Sequence, residues 1–239
     1  MRAQMWEPMG MRALFILQDA DTPPGTIGEA AESAGYTVEI FAARQAVYPD
    51  PTAFDLIVPL GSAAMVSDAE HQWWIQPQLA FLKAAHENNI AIFGICFGCQ
   101  TLSAALGGEV YRLETPEIGW YSAGPSAPPN PILDGPWFEW HFDAVRPPAD
   151  ATILASNETS VQSWQLGRTI AVQFHPEVTV AIVSGWIDSV PADYGTPFGI
   201  DLEAVRDATV AMADASRNAS FQLFTNVLAS LTLKPEPVR

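Results

Sequence analysis

The sequence of 239 residues is short of cysteine, of histidine and of positive charge. It holds two cysteines and four histidines, and its 11 lysines and arginines stand against 27 acidic residues, for a formal net charge of −16. Nucleic acids and anionic lipid surfaces are themselves polyanions, so this balance argues against both as partners. Two cysteines do not make a disulfide framework and fit a reducing compartment, so we expect a cytoplasmic protein.

Long hydrophobic runs and metal-binding patterns are also missing. No apolar run reaches the length of a membrane span, and residues 1–10 are too mixed to read as a signal peptide. Cys96 and Cys99 lack the second pair that a zinc site of this spacing requires, and no Gly-rich phosphate loop of P-loop type occurs. We therefore expect no membrane association, no metal and no cofactor, and the oligomeric state is left open.

Apolar strands alternate with helices through the first half of the sequence, which predicts a parallel sheet covered on both faces. After Gly107 the pattern changes to successive short strands separated by turn signals, which indicates an antiparallel edge rather than a second domain. The prediction is one α/β domain over residues 12–234, with a flavodoxin-like, doubly wound and mostly parallel sheet, after an extension at residues 1–11. In such sheets the functional site lies at the carboxyl ends of the strands.

One segment carries the pattern of a nucleophile. An apolar strand at residues 90–95 runs into Gly94-Ile95-Cys96-Phe97-Gly98, and a short helix follows. Glycines on both sides of a cysteine between strand and helix are typical of a nucleophile elbow, in which a strained turn lifts the side chain out of the strand end. The backbone N–H groups at the start of the helix favour a thiolate and can receive a negative oxygen.

A second segment supplies a base and an acid. Residues 170–174 predict a strand, and His175-Pro176-Glu177 follows at its end. Residues i and i+2 of an extended segment point to one side, and Pro176 keeps His175 extended. Cys96, His175 and Glu177 thus make a candidate catalytic triad of thiol, base and orienting carboxylate.

Each pattern also has a simpler interpretation when it is taken alone. A lone His-Pro-Glu is more often a turn with a solvated acid. A free cysteine is often a small buried apolar residue. Cys96 and Cys99 form Cys-x-x-Cys, which is the spacing of redox-active dithiols. The two segments together favour hydrolysis over these alternatives.

Gly94-x-Cys96-x-Gly98-x-Gln100 combined with Phe174-His175-Pro176-Glu177 resembles the class I glutamine amidotransferases, which take ammonia from glutamine. Within that family the sequence looks most like stand-alone proteins similar to the glutaminase domain of GMP synthase. Residues 117–120 and 140–143 match segments that those proteins carry. The sequence departs from the family at three points: Cys99 where histidine is usual, Gly61-Ser62-Ala63 in place of Gly-Gly-Pro, and His141-Phe142-Asp143 in place of His-Gly-Asp.

The resemblance implies a mechanism and further site residues. Cys96 would attack the side-chain amide of glutamine, with His175 moving the proton and Glu177 orienting the imidazole. The backbone N–H of Phe97 and that of Ser62 or Gly61 would receive the oxyanion, and a γ-glutamyl thioester would form.

By the same analogy, Gln100 and the loop around Glu117 would lie near the substrate, and His141 would belong to a substrate loop. The structural alternatives stay open for these three. Gln100 could be a polar residue at a helix start, Glu117 a loop acid, and His141 a buried core histidine.

Three functions remain open at this point. The first is a glutamine amidotransferase subunit that delivers ammonia to a separate synthetase, since the chain has no synthetase domain of its own. The second is a γ-glutamyl hydrolase or peptidase that acts on another γ-glutamyl compound without a partner. The third is a non-enzymatic thiol sensor built on Cys96 and Cys99.

Overall fold

A central sheet and a small two-stranded sheet organise the protein. The computed structural model describes residues 10–45, 47–68 and 72–232. The strands there are β1 (Arg12–Leu17), β2 (Thr37–Ala42), β3 (Leu56–Pro59), β4 (Ala91–Ile95), β5 (Glu109–Tyr121), β6 (Trp137–Arg146), β7 (Thr152–Ser156), β8 (Val161–Leu166) and β9 (Thr169–Val172). The α-helices are α1 (Gly25–Ser33), α2 (Ile75–Glu87), α3 (Phe97–Ala105), α4 (Pro131–Asp134), α5 (Val180–Ser189) and α6 (Leu202–Thr232).

The central sheet has seven strands in the order β2-β1-β3-β4-β9-β8-β7. Every pair from β2 to β9 is parallel, whereas β8 and β7 are added antiparallel at one edge. This confirms the predicted doubly wound, mostly parallel sheet with an antiparallel edge. It follows that the carboxyl ends of β3, β4 and β9 meet at one edge of the molecule.

Both faces of this sheet are buried, and the side chains of successive residues in a strand pack on opposite faces. Phe93 packs in a cluster with side chains of α1 and α6, whereas its neighbour Ile92 packs in a second cluster with side chains of α2 and α3. The strands are therefore apolar throughout rather than alternating. A third cluster, which includes Ile118 and Phe138, joins the small sheet to α5 and the start of α6.

The segment after Gly107 differs from the prediction in one respect. The strands predicted at 109–113 and 119–123 are one long strand, β5, which pairs only with β6 in a separate antiparallel sheet. A register shift between Arg112 and Glu117 marks a bulge, where the sequence suggested a turn. Glu117 therefore lies on a strand, because the bulge lets the chain bend without leaving the ladder.

The C-terminal region was predicted as two helices, residues 201–214 and 220–231, and this was wrong. It forms the single helix α6, and polar residues at the predicted gap have partners. The Ser220 hydroxyl lies 2.6 Å from the carbonyl oxygen of Pro176 and 2.8 Å from that of Ser216, and Arg217 pairs with Glu29 of α1. Tertiary contacts thus override the local signal.

The structure describes only part of the predicted extension and of the predicted domain's C-terminal end. Residues 1–9 of the predicted extension lie outside the described residues, as do residues 233 and 234 of the predicted domain. The carbonyl oxygen of Met11 accepts a 2.8 Å hydrogen bond from Thr37 N. Within the described ranges, no helix is long and apolar enough to cross a lipid bilayer.

Candidate active site

Two adjacent parallel strands bring the predicted nucleophile and base to one place. In the register of β4 and β9, Ile95 lies opposite Val172. Cys96 directly follows β4, and its N–H donates a 2.9 Å hydrogen bond to the carbonyl oxygen of Val172. His175 comes three residues further along the other chain segment. Because neighbouring parallel strands end at the same edge, both side chains line one cavity.

Cys96 has the backbone conformation of an elbow. Its φ is 51° and its ψ is −106°, a positive φ that costs free energy in a residue with a Cβ. The two flanking glycines explain how the turn closes. A Cβ at Gly98 would overlap the carbonyl oxygen of Pro59, and a Cβ at Gly94 would overlap the side chain of Leu102. The Gly-x-Cys-x-Gly pattern is thus required by backbone contacts between β3, β4 and α3.

His175 and Glu177 form a direct pair. Nδ1 of His175 lies 2.7 Å from Oε1 of Glu177, and both side chains are buried. The other ring nitrogen, Nε2, is buried without a hydrogen bond of standard geometry among the described residues. Burial acts to lower the pKa of His175, but the nearby charges of Cys96 and Glu177 outweigh it and raise that pKa well above its usual value. The site therefore favours an imidazolium beside the sulfur.

The backbone of the His-Pro-Glu segment is held from two sides. The N–H of Thr26, in the first turn of α1, donates a 2.9 Å hydrogen bond to the carbonyl oxygen of Glu177. Gly25 approaches that oxygen so closely that a Cβ there would overlap it. On the other side, Ser220 of α6 contacts the carbonyl oxygen of Pro176. These contacts fix the carboxylate that orients His175.

The loop after β3 borders the same site. The position that a Cβ on Gly61 would take is 2.9 Å from Cε1 of His175 and 3.8 Å from Cβ of Cys96, so the two side chains adjoin at this glycine. Ser62 is fixed beside it, since its hydroxyl lies 2.6 Å from Oδ2 of Asp19. Asp19 is in turn paired with Arg44 at 2.8 Å. Phe97, the first residue of α3, is fully buried on the far side of the sulfur-bearing turn.

The cavity at this edge has a volume of about 570 Å³. Sequence reasoning identified three of its lining residues, Ser62, Cys96 and His175, and left Gln100 and His141 open between a role at the substrate and a structural role. It missed the others that matter for chemistry, because their positions are set by distant elements. The missed lining residues include Arg112, Asp143 and a set of aromatic residues: Trp140, Phe142, Trp186, Tyr194 and Phe198.

Arg112 and Asp143 are directly opposed on β5 and β6. Nη1 of Arg112 lies 3.2 Å from Oδ1 of Asp143, and the guanidinium carbon sits 4.5 Å above the ring of Phe142. Among the described lining residues, Arg112 is the one with a permanent positive charge. The cavity thus contains one positive and one negative group within contact of each other.

Gln100 and His141 are both tied to the backbone of Asp143. Nε2 of Gln100 donates a 3.1 Å hydrogen bond to that carbonyl oxygen, which also lies 2.9 Å from Nδ1 of His141. Both residues are buried and line the cavity. Glu117 is brought to His141 but is not among the residues that line the cavity.

The buried network around His141 contains two carboxylates. Its Nε2 lies 3.1 Å from Oε2 of Glu117 and 3.2 Å from Oε2 of Glu139. Burial acts to lower the pKa of His141, but these two carboxylates raise it to about 10. Burial also raises the pKa of Glu139, whereas for Glu117 the hydrogen bonds from His141, Asn157 and Gln162 outweigh burial and lower it. His141 is therefore an imidazolium buried between two acids.

The second cysteine is separated from the first by the sheet itself. Cys96 belongs to the cluster under α1 and α6, and Cys99 belongs to the cluster on the opposite face. Cys99 is fully buried, and Nε1 of Trp164 donates to its sulfur at 3.2 Å. Burial raises the pKa of its thiol. Both cysteines are free, and Cys99 has the surroundings of a core residue.

Within the described ranges, no set of three or more His, Cys, Asp and Glu residues is arranged to hold a metal ion.

The chain resembles known proteins in sequence and in fold. The family model described as glutamine amidotransferase class-I matches residues 26–182. The GMP synthase (glutamine-hydrolyzing) of Symbiobacterium thermophilum is 38% identical over 104 residues, which are 40% of this chain and 20% of that synthase. The chain thus spans about a fifth of the length of this relative.

Two further proteins match most of the chain. The glutamine amidotransferase-like protein YfeJ of Salmonella typhimurium is 28% identical over 195 residues, 74% of this chain and 80% of that protein. The crystal structure of a glutamine amidotransferase from Thermotoga maritima has a TM-score of 0.81 at 21% identity, covering 92% of this chain and 99% of that one. The latter likeness is one of fold.

Proposed function

The chain belongs to the class-I glutamine amidotransferase family, and from that premise we propose that it hydrolyses γ-glutamyl amides, glutamine among them, and releases ammonia from glutamine. Membership indicates a cysteine-dependent amidohydrolase. The observation that carries the proposal is that Cys96 and His175 line one cavity, while Nδ1 of His175 lies 2.7 Å from Oε1 of Glu177.

In the proposed reaction, the sulfur of Cys96 attacks the side-chain amide carbon. His175 takes the thiol proton and passes it to the departing nitrogen. Glu177 keeps the imidazole in the required tautomer and stabilises its charge. The C–N bond breaks, a γ-glutamyl thioester remains on Cys96, and water hydrolyses it to glutamate and free thiol.

Backbone N–H groups are proposed to receive the oxyanion. Phe97 is the first residue of α3, and the first N–H groups of a helix have no partner within it. Gly61 and Ser62 lie across the cavity, and the absent side chain of Gly61 leaves room beside both Cys96 and His175. The 2.6 Å contact with Asp19 holds the Ser62 hydroxyl in place in this loop.

The charged groups of the cavity suit the amino-acid end of a γ-glutamyl compound. We infer that Arg112 binds the α-carboxylate, since it is the permanent cation among the described lining residues. Asp143 is in contact with Arg112 and is placed to bind the α-ammonium group. Gln100 is a substrate contact in this proposal. In this proposal His141 positions the backbone of Asp143 through its contact with the Asp143 carbonyl oxygen, and Glu117 holds the other side of the His141 ring.

The proposal also concerns where the released ammonia goes. GMP synthases couple glutamine hydrolysis to a synthetase, and this chain spans about a fifth of such a relative. A separate synthetase subunit is thus one candidate partner. A γ-glutamyl hydrolase that needs no partner is the other candidate. The thiol sensor has no support in the structure, because Cys99 is sealed in the core on the other face of the sheet.

The test is glutamine hydrolysis by the purified chain, with ammonia and glutamate measured separately. We expect both products in equal amounts. Absence of turnover for glutamine and for small γ-glutamyl amides would contradict the proposal. Repeating the assay with cell extract distinguishes a subunit that works with a synthetase from a hydrolase that works alone. A synthetase partner should raise the rate of glutamine hydrolysis and consume the ammonia.

A labelling experiment tests the nucleophile without relying on turnover. A glutamine analogue with an electrophile at the side-chain carbon should modify Cys96 and leave Cys99 unmodified, which peptide mapping can decide. Labelling of Cys99 would contradict the assignment. Cys99→Ala provides the matched control and should label as the wild type does.

A further inference from the structure

One wall of the cavity is made of aromatic rings, and it begins at His175. The ring of Trp186 lies 5.0 Å from the ring of His175, and Trp140 lies 6.1 Å from Trp186. The series continues from Trp140 to Tyr194 at 6.1 Å and reaches Phe198 by way of Phe142. We refer to Trp140, Phe142, Trp186, Tyr194 and Phe198 as the aromatic wall.

The aromatic wall is positioned by the rest of the fold. Nε1 of Trp186 donates a 2.7 Å hydrogen bond to the carbonyl oxygen of Asp21, which fixes the indole beside the imidazole. Trp140 and Phe142 project from β6, whereas Tyr194 and Phe198 come from the segment between α5 and α6. Rings from separate elements thus converge on one surface of the cavity.

Glutamine gives this surface no function. Its leaving group is ammonia, which has no apolar surface to bury, and its amino-acid end requires charged partners. The cavity, at about 570 Å³, has the size of sites that hold drug-sized ligands. Aromatic walls in such sites bind apolar or aromatic groups of the ligand.

The position of the wall relative to His175 indicates which part of a substrate it would contact. His175 protonates the leaving nitrogen in the proposed reaction, so the leaving group lies next to His175. Among the residues of the aromatic wall, Trp186 is the one whose ring packs against His175, and the wall extends from there. A substituent on the leaving nitrogen would therefore lie along the aromatic wall.

We propose that the site accepts γ-glutamyl amides whose amine carries an aromatic group, with the aromatic wall binding that group. This inference rests on the proposed function, because it uses the same nucleophile and base. The reaction balances without a further reactant. The C–N bond breaks as the S–C bond forms, the amine leaves with the proton from His175, and water releases glutamate from the thioester.

The experiment compares γ-glutamyl-phenethylamide with γ-glutamyl-ethylamide on the wild-type chain. Both leaving groups are primary alkylamines, so the two substrates differ chiefly in the ring. We expect kcat/KM to be larger for the phenethylamide by about tenfold or more, the scale of burying one aromatic ring. A smaller or reversed preference would overturn the inference.

Two variants connect that preference to the wall. Tyr194→Ala and Phe198→Ala should each reduce the ratio of the two kcat/KM values by about threefold or more. The Phe198 side chain is 37% exposed, so its truncation tests the idea even if Tyr194→Ala does not fold. Tyr111→Ala is the matched control, because Tyr111 stacks with Arg146 and does not line the cavity.

The possible outcomes distinguish a failure of the proposed function from a failure of the aromatic inference. If the wild type hydrolyses neither glutamine nor either amide, the proposed function fails. If it hydrolyses glutamine and shows no preference for the phenethylamide, or if both wall variants keep the wild-type ratio, the aromatic inference alone is overturned.

Discussion

The backbone of Gly98 touches the carbonyl oxygen of Pro59, and this contact joins the elbow to the loop that borders it. A Cβ at Gly98 would overlap that oxygen and would also come within 3.1 Å of the Pro59 side chain. The first turn of α3 can therefore lie against the end of β3 only when residue 98 is glycine. The contact thus holds the helix that follows Cys96 against the end of β3, two residues before Gly61.

Gly98→Ala should destabilise the fold by about 1–3 kcal/mol and reduce activity strongly, because α3 must move away from β3. Urea unfolding and glutamine turnover measure the two effects. Gly185→Ala is the control, since Gly185 lies within α5 with no atom within 4 Å of an added Cβ. A Gly98→Ala protein with wild-type stability and activity would contradict this account of the elbow.

Cys96→Ser should reduce turnover by about a thousandfold or more and leave the fold intact. A serine hydroxyl is a much weaker nucleophile than a cysteine thiol, and the neighbours of residue 96 are unchanged. Circular dichroism and thermal melting check the fold, and ammonia release checks the activity. Turnover near the wild-type rate would remove Cys96 as the nucleophile.

Glu177→Gln should lower kcat by less than His175→Ala does, because the carboxylate acts through the imidazole. The carboxylate also contributes to the raised pKa of His175, so its removal should shift the alkaline limb of the pH–rate profile to lower pH. A kcat loss equal to that of His175→Ala, with no shift in the profile, would show a different role for Glu177.

Cys99→Ala should leave the response to peroxide unchanged. Cys99 is buried on the face of the sheet opposite to Cys96, so it cannot resolve an oxidised Cys96. Peroxide should inactivate the wild type and Cys99→Ala at the same rate, with the same recovery in dithiothreitol. Recovery of the wild type alone would reinstate Cys99 as a resolving thiol.

His141→Gln should cost more stability at pH 7 than at pH 10. The pKa of His141 is raised to about 10 in the fold, against about 6.5 in an unfolded chain. A raised pKa stabilises the fold fully below the unfolded value, and this stabilisation is lost as the pH rises through the folded value. The Tm difference between wild type and variant should therefore shrink between pH 7 and pH 10.

His86→Gln serves as the control for that titration. Burial lowers the pKa of His86, so its Tm difference should stay level over the same range. A difference for His141→Gln that is constant or grows with pH would contradict the buried imidazolium.

The sequence alone predicted the parallel sheet and the candidate catalytic residues that follow two of its strands. Cys96 between two glycines and His175 two residues before Glu177 are local patterns, and their spacing follows from the geometry of one turn and one extended segment. The doubly wound sheet was also predictable, because buried parallel strands are apolar along their whole length. The structure confirms this sheet; it also brings Cys96 and His175 to one cavity and puts Glu177 2.7 Å from His175.

The structure alone decided the rest, because the remaining relationships join residues that are far apart in the chain. Arg112 meets Asp143 across the bulged pair β5–β6, and the aromatic wall collects rings from three elements. The continuity of α6 depends on the Pro176 carbonyl oxygen that lies beside Ser220. Cys96 and Cys99 are three residues apart in sequence, yet the turn at φ 51° sends them into opposite cores. The spacing of residues in the sequence does not determine these contacts, because they depend on which distant segments pack against one another around the sheet.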